Sequence, residues 1–81
     1  MSIYIFRAEC LDDVFRFLEA LAARHRIQSV TLQPDRHFPN VEVMLRTDGT
    51  HEQLFALADS IQDAHIIGES LECIVNPITP I

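Results

Sequence analysis

Apolar side chains recur along this chain at two spacings, every second residue in some stretches and every third or fourth in others, and each change of spacing marks a new element. Residues Ser2 to Glu9 are rich in β-branched and aromatic side chains and too few for an isolated helix, which predicts a first strand. From Leu11 to His25 the positions Leu11, Val14, Phe15, Leu18, Leu21, Ala22 and His25 follow helical steps. Asp12 and Asp13 open that helix where its dipole favours negative charge, and Arg24 and Arg26 complement its far end. Ile27 to Gln33 alternates, with Val30 and Leu32 on one side and Ser29, Thr31 and Gln33 on the other, as a strand with one covered face requires.

The two prolines, Asp35 and Asn40 of the stretch Pro34 to Asn40 predict a hairpin loop. In the third strand Val41, Val43 and Leu45 alternate with Glu42, Met44 and Arg46 until Asp48-Gly49 ends the run. Thr50 and Gln53 have capping-box spacing, and Leu54, Phe55, Leu57, Ala58 and Ile61 stripe a second helix that reaches about Gln62. Ile66 to Val75 reads as a fourth strand, with Ile67, Leu71, Cys73 and Val75 on one side and Glu69 breaking the alternation.

This β-α-β-β-α-β order predicts an α+β fold, a ferredoxin-like plait in which two helices cover one face of a four-stranded antiparallel sheet. At 81 residues the chain has material for one core, so residues 1–76 form a single domain and 77–81, with Pro77 and Pro80, an extended tail. The first strand is apolar on both sides while the helices cover only one. With Ile3 and Ile5 turned to the helices, Tyr4, Phe6, Met44 and Ile74 form the apolar centre of the open face, beside Thr31, Glu42, Arg46 and Glu72. Such a patch on a small domain predicts a partner, in the first place a second copy of the chain, with Tyr4, Phe6, Met44 and Ile74 at the interface.

Charge narrows the range of partners. Six arginines, no lysine and twelve acidic residues give a net charge of −6, which repels phosphate backbones and anionic lipid headgroups, so neither nucleic acid nor membrane is expected. No apolar run approaches the roughly 20 residues a bilayer span needs. Two cysteines without Cys-x-x-Cys spacing fit a reducing, cytoplasmic setting, and strand geometry places Cys10 and Cys73 too far apart for a disulfide. Cys73 is expected to pack on the core side of strand four.

The run from Tyr4 through Ile74 resembles the ACT-domain family of small regulatory modules. The likeness lies in helix one leading through Arg24-His25-Arg26-Ile27-Gln28-Ser29-Val30, in Val41 to Thr47, in Leu54-Phe55-Ala56-Leu57-Ala58, and in Ile66-Ile67. It implies a non-enzymatic, homodimeric module that senses an amino acid or small metabolite, or modulates a larger enzyme. Where that family often carries Asp-x-Pro-Gly after strand one, this chain has Glu9-Cys10-Leu11-Asp12-Asp13.

A small-ligand site is expected where the first turn of helix one, the turn after strand one and the proline-rich hairpin meet. Its residues would be Cys10, Asp12, Asp13, Arg36, His37 and His65, with Arg36 and His37 holding a carboxylate and the aspartates favouring a zwitterion or cation. Cys10, His37 and His65 come from separate loops with no ligand-pair spacing, so no metal is expected. The sequence contains no Ser-His-Asp order, glycine-rich phosphate loop or His-Glu-x-x-His, and no cofactor is implied. Two other readings stay open: a small dimeric plait enzyme of monooxygenase or isomerase type, and a chaperone that offers the edge of strand two to an extended peptide.

Overall fold

The computed structural model describes residues 1–34, 36, 40–62 and 64–75. Its elements are β1 (Ser2–Ala8), α1 (Leu11–Ala22), β2 (Ile27–Pro34), β3 (Val41–Thr47), α2 (His51–Asp59), α3 (His65–Ser70) and β4 (Glu72–Val75). The sheet runs β2-β3-β1-β4, with every neighbouring pair antiparallel. β1-α1-β2 therefore brackets β3, and β3-α2-α3-β4 brackets β1, which is the interleaving of a ferredoxin-like plait. Residues 76–81, the predicted tail, lie outside the described residues.

Three expectations about packing are corrected. The first concerns which way β1 faces. Tyr4, Phe6 and Ala8 are the buried side of β1, together with Val41, Val43 and Leu45 of β3, whereas Ile3 and Ile5 lie on the open face. Tyr4 and Phe6 are therefore core residues and not interface residues. Phe6 meets Phe17 edge-on with ring centroids 5.2 Å apart, and the Tyr4 hydroxyl reaches past the core to the backbone at Gly49. The larger aromatic residues sit inside because only that side has helices to fill against.

The second correction is rotational. α1 ends at Ala22 and not at His25, and it buries Val14, Phe17 and Leu21, spaced three and four residues apart, while Leu11 and Phe15 of the predicted stripe remain exposed. Asp13, on the other flank, is buried and paired with Arg16, whose guanidinium also reaches the Gln62 carbonyl beyond α2. The ion pair is internal to α1, and the 3.4 Å hydrogen bond from Arg16 to the Gln62 carbonyl is what joins this flank of α1 to the end of α2.

The third is at the C-terminal end. α2 stops at Asp59, and the region predicted as one strand from Ile66 to Val75 is a short helix followed by a four-residue strand. Ala64, Ile67 and Leu71 are buried at helical spacing, and this period outweighs the partial alternation of the same residues. Phe55 of α2 lies against α3 at Gly68, where a Cβ would stand 3.4 Å from the ring, an ordinary contact distance. Pairing of β4 with β1 begins at Ile5 opposite Glu72; further along, the Arg7 N–H donates to the Ser70 hydroxyl at 2.8 Å, and that hydroxyl donates to the Ile66 carbonyl at 2.6 Å. The end of α3 thus replaces a rung of the sheet.

The predicted capping box is present. Gln53 N–H donates to the Thr50 hydroxyl and the Gln53 side chain accepts from Thr50 N–H at 2.9 Å. Buried Thr47 donates to the Arg26 carbonyl at 2.6 Å and ties the end of β3 to the entry of β2.

Candidate functional site

Antiparallel pairing sets Ala8 opposite Val41 and Val41 opposite Pro34, so the exits of β1 and β2 and the start of β3 share one end of the sheet. Cys10, half-buried, caps α1 without a side-chain hydrogen bond, and exposed Asp12 lies in the helix's first turn. Asp13 belongs to that turn but is turned inward onto Arg16, so its carboxylate is committed to holding the fold and is not offered to a ligand. Arg36 is an exposed residue of the bend after β2. His37 lies outside the described residues. His65 is exposed at the start of α3, and it is the opposite end of that helix, at Ser70, that is tied to β1. Among the described residues no three His, Cys, Asp or Glu side chains are grouped to hold a metal ion.

Two of the clefts at this end of the sheet bear on ligand binding. One, of about 450 Å³, lies between the start of α1 and β2 and is almost wholly apolar, with Leu11, Leu32, Pro34 and Val41 beside Cys10. The other, of about 430 Å³, opens on the uncovered face, where Arg7 is set among Glu42, Glu69 and Glu72 next to Ser70 and Ile5. The sequence placed Glu42 and Glu72 on the open face but did not bring Arg7, Glu69 and Ser70 to them as a cleft; the signal was the Arg7–Glu42 cross-strand pair, which becomes visible once the β1–β3 register is known.

The uncovered face has a simple charge layout. Its middle row crosses the sheet as Thr31, Met44, Ile5 and Glu72; towards Ala8 the next row carries Gln33, Glu42 and Arg7; in the other direction the row is Ser29, Arg46 and Ile3. Met44 and Ile74 are 44% and 48% exposed, which leaves them as the apolar centre with half-buried Ile3 and Ile5. Gln33 donates to Glu42 at 2.7 Å on the surface of this face.

At the opposite end, His25 stands 3.5 Å from Asp48, whose carboxylate also accepts the Arg26 N–H, and His51 lies 3.2 Å from the Leu71 carbonyl. Both histidines serve local structure. Cys73, expected in the core, is exposed on β4 opposite Tyr4, because β4 is the sheet's outer strand and the helices do not extend over it; no disulfide joins it to Cys10. From Tyr4 to Ala8 alone the chain runs about 13 Å along β1, which keeps the two thiols apart. No helix among the described residues is long and apolar enough to cross a membrane.

No protein-family model matches the chain, and no curated protein resembles it closely enough to count as a relative.

Proposed function

We propose that this protein is a non-enzymatic regulatory module that works in the cytoplasm as a homodimer, similar in design to the ACT domains its pattern resembles, and that it either binds a small zwitterionic metabolite or modulates a larger enzyme. The observation that carries this reading is the uncovered sheet face, apolar along the Ile5–Met44 row with Ile74 beside it and charged towards both ends. A two-fold axis crossing the strands at that row sets Arg46 of one copy over Glu42 of the other, and the reverse, so the face complements itself as an isologous interface must. The pairing also brings the cleft around Arg7 to the rim of the dimer, where a carboxylate would find the guanidinium and an ammonium group the surrounding glutamates.

Sedimentation of the wild type at micromolar concentration tests the assembly and should give twice the chain mass. Met44→Glu should give the chain mass alone, since it places an unpaired charge in an apolar contact. A wild type that remains a monomer at high micromolar concentration overturns the proposal.

A further inference from the structure

α1 packs on β1 and α2, and on the helix-facing side of β2 Ile27 and Val30 lie half-buried against the core while the exit end, at Leu32 and Pro34, stays exposed. Leu32 is 41% exposed; across the cleft Leu11 of α1 is 45% exposed, and one turn further along that helix Phe15 is 52% exposed, with half-buried Leu18 continuing their stripe. The result is an apolar trough at the exit end of the outer strand, floored by β2 at Leu32 and Pro34 and walled by the start of α1. Outer strands commonly carry charges, prolines or bulges that discourage pairing. In β2 these devices occur only at its two ends, a register shift between Ile27 and Ser29 and Pro34 at the exit, and the strand has no charged residue.

We propose that β2 and the α1 trough form a docking groove for an extended segment of another protein, which adds to β2 as a further strand and turns an apolar residue, flanked two positions away on each side by arginine or lysine, into the trough. The charges choose this occupant. Exposed Asp12 and Glu19 stand on the solvent side of the Leu11–Phe15 stripe, seven residues apart and therefore about 10 Å along the helix. Trough-facing residues i and i+4 of an added strand are about 13 Å apart, a gap that long basic side chains close while their stems lie along Phe15. A second copy docked here about a two-fold axis would bring its own Asp12 and Glu19 against this pair, and like charges oppose that arrangement.

The test uses a terminally blocked peptide, Ser-Arg-Thr-Leu-Thr-Arg-Ser, and its counterpart with glutamate for both arginines, titrated into the full chain and followed by amide chemical shifts and hydrogen exchange. The arginine peptide should shift and protect the amides of β2 and shift those around Leu11 and Phe15, and it should bind roughly tenfold more tightly than the glutamate peptide. Phe15→Ser with Leu32→Ser, both at exposed side chains, should weaken binding by a similar factor, and Asp12→Lys with Glu19→Lys should reverse the preference. Met44→Glu should bind the arginine peptide as the wild type does, which separates this groove from the proposed dimer face. Equal binding of the two peptides, shifts that spare β2, or protection of β2 that grows with protein concentration in the absence of peptide would each overturn the proposal, the last by showing a second copy on this edge.

Discussion

The hydroxyl of Tyr4 donates a 2.7 Å hydrogen bond to the carbonyl of Gly49, a buried link that fastens the central strand β1 to the turn leading into α2. Burial raises the Tyr4 phenol above its ordinary value of 10.0, with a hydrogen bond from Ser2 acting against the rise and the Cys73 charge adding to it. The neutral phenol is thus the form the fold prefers. Its contribution is complete below the unfolded-state value and is lost as pH climbs from there through the folded-state value. Because Tyr4 is the sole tyrosine and the chain has no tryptophan, phenolate absorbance reports this one group. The expected titration is displaced to alkaline pH and coincides with unfolding; a normal phenol titration in a chain that stays folded would contradict it.

Tyr4→Phe leaves the buried Gly49 carbonyl without its donor and should cost about 1–3 kcal/mol in a denaturant melt. Phe6→Ala should cost more, about 3–5 kcal/mol, because it empties the space against Phe17. These two losses of stability distinguish a core role from an interface role, since Met44→Glu should change the association state while leaving the monomer's fold intact.

Gly49 sits where a side chain has no room. A Cβ there would stand 2.5 Å from Cδ1 of Leu54, so that side chain, itself fully buried, must shift within the packed core. Gly49→Ala should therefore cost about 1–3 kcal/mol through overpacking. Thermal melts of the two proteins check this, and an unchanged midpoint would mean that Leu54 has space to retreat.

Thr50→Ala removes one half of the reciprocal cap on α2 and should destabilise the protein by about 1 kcal/mol, whereas Thr50→Ser should retain most of that stability. Equilibrium denaturation of the three proteins measures both differences.

Alkylation of the folded protein should label Cys73 readily, as it is exposed on the outer strand, and mass spectrometry after air oxidation should find no bridge to Cys10. Resistance of Cys73 to the reagent would mean that the helices extend over β4.

The strand and helix order could be read from the chain because period two and period three-to-four differ clearly in β2, β3 and the start of α2. The facing of β1 could not: Ile3-Tyr4-Ile5-Phe6 is apolar at every position, so alternation carries no information, and only the volume available beneath the helices selects the aromatic pair. The rotation of α1 was hidden for a related reason. Val14, Phe15, Phe17 and Leu18 offer two overlapping stripes, and the choice depends on Asp13 finding Arg16 and on α1 leaning towards α2. Had Asp13 been read as half of an i, i+3 ion pair and not as a dipole-favoured surface acid, Phe17 would have emerged as the core residue. The cleft around Arg7 joins residues from β1, β3, α3 and β4, and no local spacing announces it. In the last third, Glu69 falling on the apolar side of a supposed strand was the sign of a helix.

The sheet order also has a consequence for the growing chain. β1 lies between two strands that are synthesised after it, and its first rung pairs Ser2 with Thr47, about 45 residues downstream. At ordinary rates of translation roughly 2–9 seconds separate the two. Throughout that interval the Ile3-Tyr4-Ile5-Phe6 run has neither neighbour, so the most apolar stretch of the sheet emerges first and waits longest, and a nascent chain stalled before β3 would present it to the ribosome's attendant chaperones.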